Sequence, residues 1–436
     1  MAATTAAAAA AAAAAAVFSF YKLVDCHSFP RTVRSFPGSP IHLRCRAPHL
    51  RPYALAAGES STELCVVLAG GGSGGHIFPA LAIADELSAV RPNARIVFLG
   101  TATGMESEVV PSAGYEFVPV PKVCLDRPFL SPLNLLLPFQ LLRSIIASAA
   151  VLSRLRPKVV VGTGAYVSAP VCFAAIISGI MLVIQEQNCY PGITNRALAP
   201  YAEKIFLAFN ACIKYFPRDK CVVCGNPRRL SSGSGGGVSK ADAMLHFFPK
   251  SGNMNLDERA LVVLVLGGSI GANAMNLAFL EVCYDMLAKQ NNIFIIWQTG
   301  AKWFEEVKLV AKVHPRLFLT PFLDAMELAY AAADLVVSRA GAMTCTEILT
   351  AGKPSILIPS PTASDDHQTK NAYAMADLAG AHVLTEDELD SCSLQTAINN
   401  VLGDNNLMEE MSEKARRASR PNAASHIAEC ILSILD

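Results

Sequence analysis

From residue 64 onward, short runs of β-branched and aliphatic residues alternate with longer stretches whose apolar positions recur every three or four residues. The runs 64–69, 95–100, 158–161, 181–184 and 204–207 are apolar almost throughout, the pattern of parallel strands covered on both faces. A second series opens at 261–266 and continues through 292–297, 316–319, 334–338 and 354–359. Helix-length segments separate the strands in both series, so the pattern predicts an α/β protein of two doubly wound, Rossmann-like sheets. The two series also begin alike. Val66-Val67-Leu68 leads into Gly71-Gly72-Ser73-Gly74-Gly75, and Val263-Leu264-Val265 leads into Gly267-Gly268-Ser269-Ile270-Gly271. Between them, 228–259 contains Ser231-Ser232-Gly233-Ser234-Gly235-Gly236-Gly237, a composition that does not pack and reads as a linker at a domain boundary. The domains are therefore drawn at 63–227 and 260–419, with a final helical segment at 420–436 able to pack back on the first. Open parallel sheets bind ligands beyond the carboxyl ends of their strands, so the site is expected in a cleft between the domains.

Composition narrows this picture. With 17% charged and 52% hydrophobic residues the chain is not disordered. The most apolar internal runs, 134–140 and 171–184, are interrupted by Pro138 and Gly179, so neither supplies the roughly 20 clean apolar residues of a spanning helix. Peripheral membrane contact stays open. The formal charge is zero, and nothing in its distribution points to nucleic acid. Residues 1–58 are different: an alanine run is followed by Ser, Pro, Lys22, Arg31, Arg34, Arg44, Arg46 and Arg51 against Asp25 alone. That composition suits an organelle transit peptide, or else a disordered low-complexity tail, and the segment is set apart from the fold. Thirteen cysteines show no disulfide framework, and Cys65, Cys172 and Cys345 sit inside apolar runs as small hydrophobes. Cys221 and Cys224 lie in the strand-like run 220–224, where positions three apart face opposite ways, which argues against a metal pair.

Several segments carry groups capable of chemistry. Gly70, Gly72 and Gly75 fit G-x-G-x-x-G between a strand and a helix expected at 77–90, a place where backbone N–H groups can meet an anion. A dinucleotide site is disfavoured, because Phe98-Leu99-Gly100-Thr101 ends the second strand without the acid that would hold a ribose. His76 follows the glycines as a general base or as a turn-capping residue. Gln185-Glu186-Gln187-Asn188 falls at a strand end, either as ligands for a sugar or for His76, or as a solvated turn. In the second half, Arg339-Ala340-Gly341-Ala342-Met343-Thr344 ends a strand and opens a helix whose free N–H groups suit a diphosphate, with Ser269 in the second glycine loop as a further donor. Glu347, one turn on, is a ribose ligand or an ordinary helix charge. Asp365-Asp366-His367-Gln368 reads as sugar-binding or helix-capping rather than metal-binding.

Together these segments resemble the MurG family over about 63–436. The resemblance rests on Gly71-Gly72-Ser73-Gly74-Gly75-His76-Ile77-Phe78-Pro79-Ala80, Gly162-Thr163-Gly164-Ala165-Tyr166-Val167-Ser168, and Glu186-Gln187-Asn188 with Pro191-Gly192-Ile193-Thr194-Asn195-Arg196. It continues through Gly225-Asn226-Pro227-Arg228-Arg229, Gly267-Gly268-Ser269-Ile270-Gly271-Ala272, Gly341-Ala342-Met343-Thr344 with Glu347, and Asp366-His367-Gln368-Thr369-Lys370-Asn371-Ala372. It implies a GT-B fold and an inverting transfer of N-acetylglucosamine from UDP-N-acetylglucosamine to the C4 hydroxyl of a lipid-diphosphate-linked N-acetylmuramoyl acceptor, without a cofactor or metal. It further implies His76 as base with Glu186 and Tyr166 beside it, and Ser73, Gly74, Gly75 and Asn188 on the cleft. Arg229 and Ser269 would contact the diphosphate, Leu323 would pack on uracil, and Ala342, Met343 and Thr344 would cradle the phosphates. Glu347 would take the ribose and Gln368 the sugar. The acceptor and a membrane contact belong to the N-terminal domain, where Lys122, Arg127 and 129–142 form either a membrane-facing patch or a buried helix. Ala165 stands where many members have glycine, Arg228 where an aliphatic is common, and the Gly/Ser linker is unusual. With the N-terminal extension, the expectation is a plastid enzyme, peripheral on the stromal side of a membrane. Another lipid-directed UDP-sugar transferase, a non-hydrolysing epimerase and an inactive scaffold are the rival readings.

Overall fold

The two apolar series form two separate parallel sheets. The computed structural model describes residues 64–123, 132–229, 238–249, 260–268, 271–311 and 313–436. The first sheet contains β1 (Cys65–Ala69), β2 (Arg95–Thr101), β3 (Glu116–Val120), β4 (Val159–Gly162), β5 (Met181–Glu186), β6 (Lys204–Leu207) and β7 (Cys221–Val223). Their order across the sheet is β3-β2-β1-β4-β5-β6-β7. The second contains β8 (Leu261–Leu266), β9 (Ile293–Gln298), β10 (Leu317–Thr320), β11 (Leu335–Ser338), β12 (Ser355–Leu357) and β13 (His382–Val383), ordered β10-β9-β8-β11-β12-β13. β1, β4 and β9 are buried along their whole length, as uninterrupted aliphatic runs require. β3 and β13 are additions to the expected strands. β3 includes Pro119, whose missing N–H is tolerated because the strand lies at a sheet edge.

This order places the site. In the first sheet β1 pairs with β2 on one side and β4 on the other, with Val67 opposite both Val97 and Val160. In the second, β8 stands likewise between β9 and β11. Each is a point where the winding reverses, leaving a crevice beyond the strand ends. The glycine loops after β1 and β8, the turn after β4 at Thr163, and the turn after β11 at Arg339 all emerge there.

Two segments differ from the sequence reading. Within the expected linker 228–259, the helix Lys240–Phe247 starts at Ser239, whose hydroxyl accepts from the Asp242 N–H at 3.1 Å. Ala243, Met244, Phe247 and Phe248 make one apolar stripe buried in the C-terminal core. The Gly/Ser run itself, 230–237, lies outside the described residues, as does 250–259. The second difference is the helix Leu137–Leu155, longer than Pro138 suggested, because that proline occupies its first turn, where no N–H is needed. The terminal helix Ala423–Leu435 packs on the helix Gly74–Val90, and Asp436 pairs with Arg91 at 3.3 Å.

Candidate active site

The glycine loop after β1 passes into a helix earlier than expected, at Gly74 rather than Ile77. Ser73 is extended and makes no side-chain cap, while its carbonyl accepts from the His76 and Ile77 N–H groups at 3.1 and 3.2 Å. Gly74 and Gly75 therefore begin the helix with N–H groups that have no intrahelical acceptor. Thr163, at the end of β4, holds this turn. Its hydroxyl donates to the His76 carbonyl at 2.9 Å, and its own carbonyl meets His76 Nδ1 at 2.8 Å. A carbonyl only accepts, so Nδ1 carries the proton and the neutral ring keeps its lone pair on Nε2. The imidazole is half-buried. Burial holds it below the ordinary histidine range, against the Thr163 carbonyl and the Gln187 amide, which favour protonation. Gly164 lies against the ring: a Cβ there would come within 3.2 Å of Nδ1. Tyr166 is 42% exposed, with its hydroxyl near Gly72.

The turn at Gly164-Ala165 explains the usual glycine. Ala165 has φ of 62°, a left-handed conformation that strains a side chain by about 1–2 kcal/mol. Ala165→Gly relieves that strain and gives back about 0.4–1 kcal/mol in unfolded-chain entropy. A net gain of about 0.5–1 kcal/mol is expected, read as a higher denaturant midpoint with unchanged slope.

A residue absent from the sequence reading supports the loop from below. Glu106 is 1% exposed and accepts from the Gly72 N–H at 3.0 Å, the Thr101 N–H at 2.9 Å and the Thr101 hydroxyl at 2.6 Å. Burial pushes its carboxyl up, but these donors more than offset that and leave it below the ordinary value. A Cβ on Gly71 would lie 2.5 Å from that carboxyl, so the loop and the carboxylate fit only with glycine there.

The segment after β5 gives Glu186 partners other than His76. Glu186, expected as a catalytic partner of His76, makes no hydrogen bond to the imidazole among the described residues. Its carboxylate, 1% exposed, accepts from the Asn188 N–H at 3.0 Å, Asn188 Nδ2 at 3.2 Å, the Gly192 N–H at 3.1 Å and Asn195 Nδ2 at 2.8 Å. With both oxygens engaged, Glu186 orders the loop 186–195. Burial raises its carboxyl above the ordinary value, and the four donors oppose that. Gln187 stands closer to the histidine, donating to the same Thr163 carbonyl at 2.8 Å.

The second sheet supplies the opposite wall. The helix Ala342–Ala351 begins after β11 with Gly341 as an extended cap, so Ala342, Met343 and Thr344 present first-turn N–H groups. Glu347 is largely buried and accepts from the Tyr330 hydroxyl at 3.0 Å. Burial raises its carboxyl, against that hydroxyl and the Arg228 guanidinium. Gln368 Oε1 accepts from the Ser360 N–H at 2.9 Å, fixing the amide at the start of the helix His367–Ala379. Across the gap, burial lowers His367, which also feels His76 and Glu186. Asn371, fully buried, joins the halves: Oδ1 accepts from the Cys189 N–H at 2.9 Å, and Nδ2 donates to Asn188 Oδ1 at 3.1 Å and the Ala340 carbonyl at 3.2 Å.

Three more expected site residues remain to be placed. Arg229, expected at the diphosphate, pairs through Nε with Asp85 at 2.6 Å. Asp85 lies on the His76 helix about 13 Å further along its axis, at about 1.5 Å per residue, so this guanidinium is drawn away from the glycine loop. Leu323, expected to pack on a base, is 3% exposed and belongs to the C-terminal core, while the neighbouring Phe322 is 53% exposed. Ser269 lies outside the described residues. Among those described, no group of three or more His, Cys, Asp or Glu is arranged to hold a metal.

Comparison with known proteins agrees with the two-sheet fold. Residues 66–207 match the family described as glycosyltransferase family 28 N-terminal domain, and 262–427 match its C-terminal domain. The chain is 41% identical over 371 residues to the UDP-N-acetylglucosamine–N-acetylmuramyl-(pentapeptide) pyrophosphoryl-undecaprenol N-acetylglucosamine transferase of Salinibacter ruber, covering 85% of this chain and 97% of the relative. It is 40% identical to the protein of the same name from Flavobacterium psychrophilum, over 85% and 97% of the two chains. Among solved structures, MurG of Acinetobacter baumannii superimposes with a TM-score of 0.67 at 29% identity, covering 85% of this chain and 99% of that one.

Proposed function

The chain belongs to glycosyltransferase family 28, in its MurG branch, and from that premise we propose that it transfers N-acetylglucosamine from UDP-N-acetylglucosamine to a lipid-diphosphate-linked N-acetylmuramoyl acceptor. The observation that carries the chemistry is the His76 ring, with its tautomer fixed by Thr163 so that Nε2 is the basic atom beside the glycine loop. Nε2 takes the proton of the acceptor C4 hydroxyl as that oxygen attacks the anomeric carbon. The bond from that carbon to the diphosphate breaks on the opposite face, which inverts the configuration and gives a β-1,4 linkage. The leaving diphosphate gathers negative charge, and the first-turn N–H groups of Ala342–Thr344 are fixed donors for it. Glu347 accepts from the ribose hydroxyls, and Gln368 orients the sugar. The full chain incubated with labelled UDP-N-acetylglucosamine and a synthetic muramoyl-diphosphoryl lipid should yield a labelled disaccharide lipid. Label transferred as well from UDP-galactose would favour the broader lipid transferase, and conversion of the UDP-sugar without acceptor would favour the epimerase.

The acceptor is lipid-linked, and one surface suits a bilayer. Leu135, Leu136, Phe139, Leu142 and Ile146 are 56–82% exposed on one side of the segment Asn134–Leu155, with Arg143 exposed beside them. By length and apolar character, with a mean hydropathy of 1.8, this segment is able to cross a membrane. Its other face, through Leu141, Ile145, Leu152 and Leu155, packs into the protein. That division favours lying in the interface over spanning. Of the expected patch, Arg127 and 129–131 lie outside the described residues, and Lys122 is exposed. Replacing Phe139 and Ile146 together with Ser should weaken binding to anionic vesicles at least about tenfold, since each buried side chain contributes about 1.5–3 kcal/mol. Turnover of a water-soluble acceptor should not change. Delivery to a plastid is a further proposal from the composition of 1–58, tested by whether that segment carries a fluorescent protein into the organelle.

A further inference from the structure

We infer that Gln187 is a positioning residue for the proposed base: its buried amide steadies the His76 ring and offers an oxygen to the positive charge that the ring gains on taking the acceptor's proton. This role rests on the transferase reading and deepens it. The neighbouring Glu186 has both oxygens engaged by its own loop, whereas the Gln187 side chain turns towards the histidine.

Groups that can act only one way fix the polarity of the hydrogen bonds around Gln187. Asn226 Nδ2 faces two backbone carbonyls, of Gln187 at 3.0 Å and of Ala342 at 3.4 Å, so it donates to both. Asn226 Oδ1 therefore accepts, from Gln185 Nε2 at 3.0 Å. Gln185 Oε1 is thereby turned to Gln187 Nε2, which also donates to the Thr163 carbonyl at 2.8 Å. That same carbonyl receives the His76 Nδ1 proton at 2.8 Å. Asn226 Nδ2 also donates to the Thr346 hydroxyl at 3.0 Å, on the helix Ala342–Ala351. One chain of three buried amides, Asn226, Gln185 and Gln187, thus ties the helix expected to hold the donor to the carbonyl that fixes the imidazole.

The same polarity leaves Gln187 Oε1 buried with no donor. A lone buried acceptor is destabilising, and native proteins keep few of them. This one belongs to the amide beside the imidazole, where it favours the protonated ring, as the Thr163 carbonyl does. A dipole already in place when charge appears needs no reorganisation to stabilise it. The other ionisable groups about the ring are Glu106 beneath the glycine loop, Glu186 after β5, Tyr166 on the helix Ala165–Ile177, and His367 across the gap. Among the described residues, none of these makes a hydrogen bond to the imidazole.

Gln187→Met keeps the length of the side chain and removes its donor and its acceptor. With the full chain, kcat should fall about tenfold, the worth of one hydrogen bond, and KM for UDP-N-acetylglucosamine should stay within about twofold. The protonated ring loses support, so the acidic limb of the pH–rate profile should move to lower pH. In a His76→Ala background the same substitution should change the residual rate by less than about twofold, because the group it serves is gone. Gln187→Asn, a gentler truncation, should move the limb the same way by less. An unmoved limb in both variants, or an equal loss in the His76→Ala background, would leave Gln187 a purely structural part of its loop and overturn the role. NMR titration of the His76 ring in wild type and Gln187→Met reads the shift without turnover. Equal titrations overturn the role, whereas a wild-type chain that shows the shift but makes no disaccharide lipid overturns the transferase reading instead.

Discussion

His76→Ala should lower kcat by about 10²–10⁴-fold, the usual contribution of a positioned general base. On the proposed reading the donor sits against the other wall of the cleft, so its KM should change little. The loss should have a distinct pH signature. Burial places the imidazole below the ordinary value of 6.5, so Nε2 remains a free base at neutral pH. Activity should be retained above that depressed value and fall as pH drops through it, because protonation removes the lone pair. In His76→Ala this acidic limb should vanish, leaving a low residual rate with no titration in that range. A pH–rate profile of kcat/KM for both proteins makes the check, and an acidic limb that survives the substitution assigns the proton transfer to another group.

Glu186→Ala should instead act on folding. It removes a buried acceptor from two backbone N–H groups and two amides, and such groups cost about 1–3 kcal/mol each when left without partners. With partial rehydration, a loss of about 3 kcal/mol in stability is expected. The loop 186–195 also carries Asn188 and Cys189, which meet Asn371 from the other half, so activity should fall with the loosened contact. The acidic limb from His76 should stay where it is. Chemical denaturation and a pH profile on the residual activity separate the two roles. A Glu186→Gln protein as stable as the wild type, yet slow and with a displaced limb, would restore Glu186 as a catalytic group.

The pattern of hydrophobic runs predicted both sheets because parallel strands buried on two faces need little beyond an apolar run. The helix Lys240–Phe247 was hidden for the opposite reason: its three buried positions are outnumbered by Gly and Ser nearby, and only tertiary packing distinguishes it. At the site, position along a motif indicated which loops matter but not which way side chains turn. His76 is legible as a candidate from its place after the glycines, whereas its tautomer depends on Thr163, 87 residues away. Glu106 reads as an ordinary helix acid, and only its burial beneath Gly71 and Gly72 reveals its function as a support. Arg228 and Arg229 are adjacent and chemically identical, and no rule of spacing decides which is captured by Asp85. Asn371 was visible as part of a motif, but its bridging depends on Asn188 and Cys189 in a single loop from the other sheet.

The most direct test of the central claim is the configuration of the new bond. Product formed by the full chain from UDP-N-acetylglucosamine and a muramoyl-diphosphoryl lipid should show by proton NMR a β-anomeric linkage to C4, with His76→Ala giving the same linkage at a far lower rate. An α-linked product, or a wild-type rate that His76→Ala leaves intact, would contradict a single displacement assisted by that imidazole.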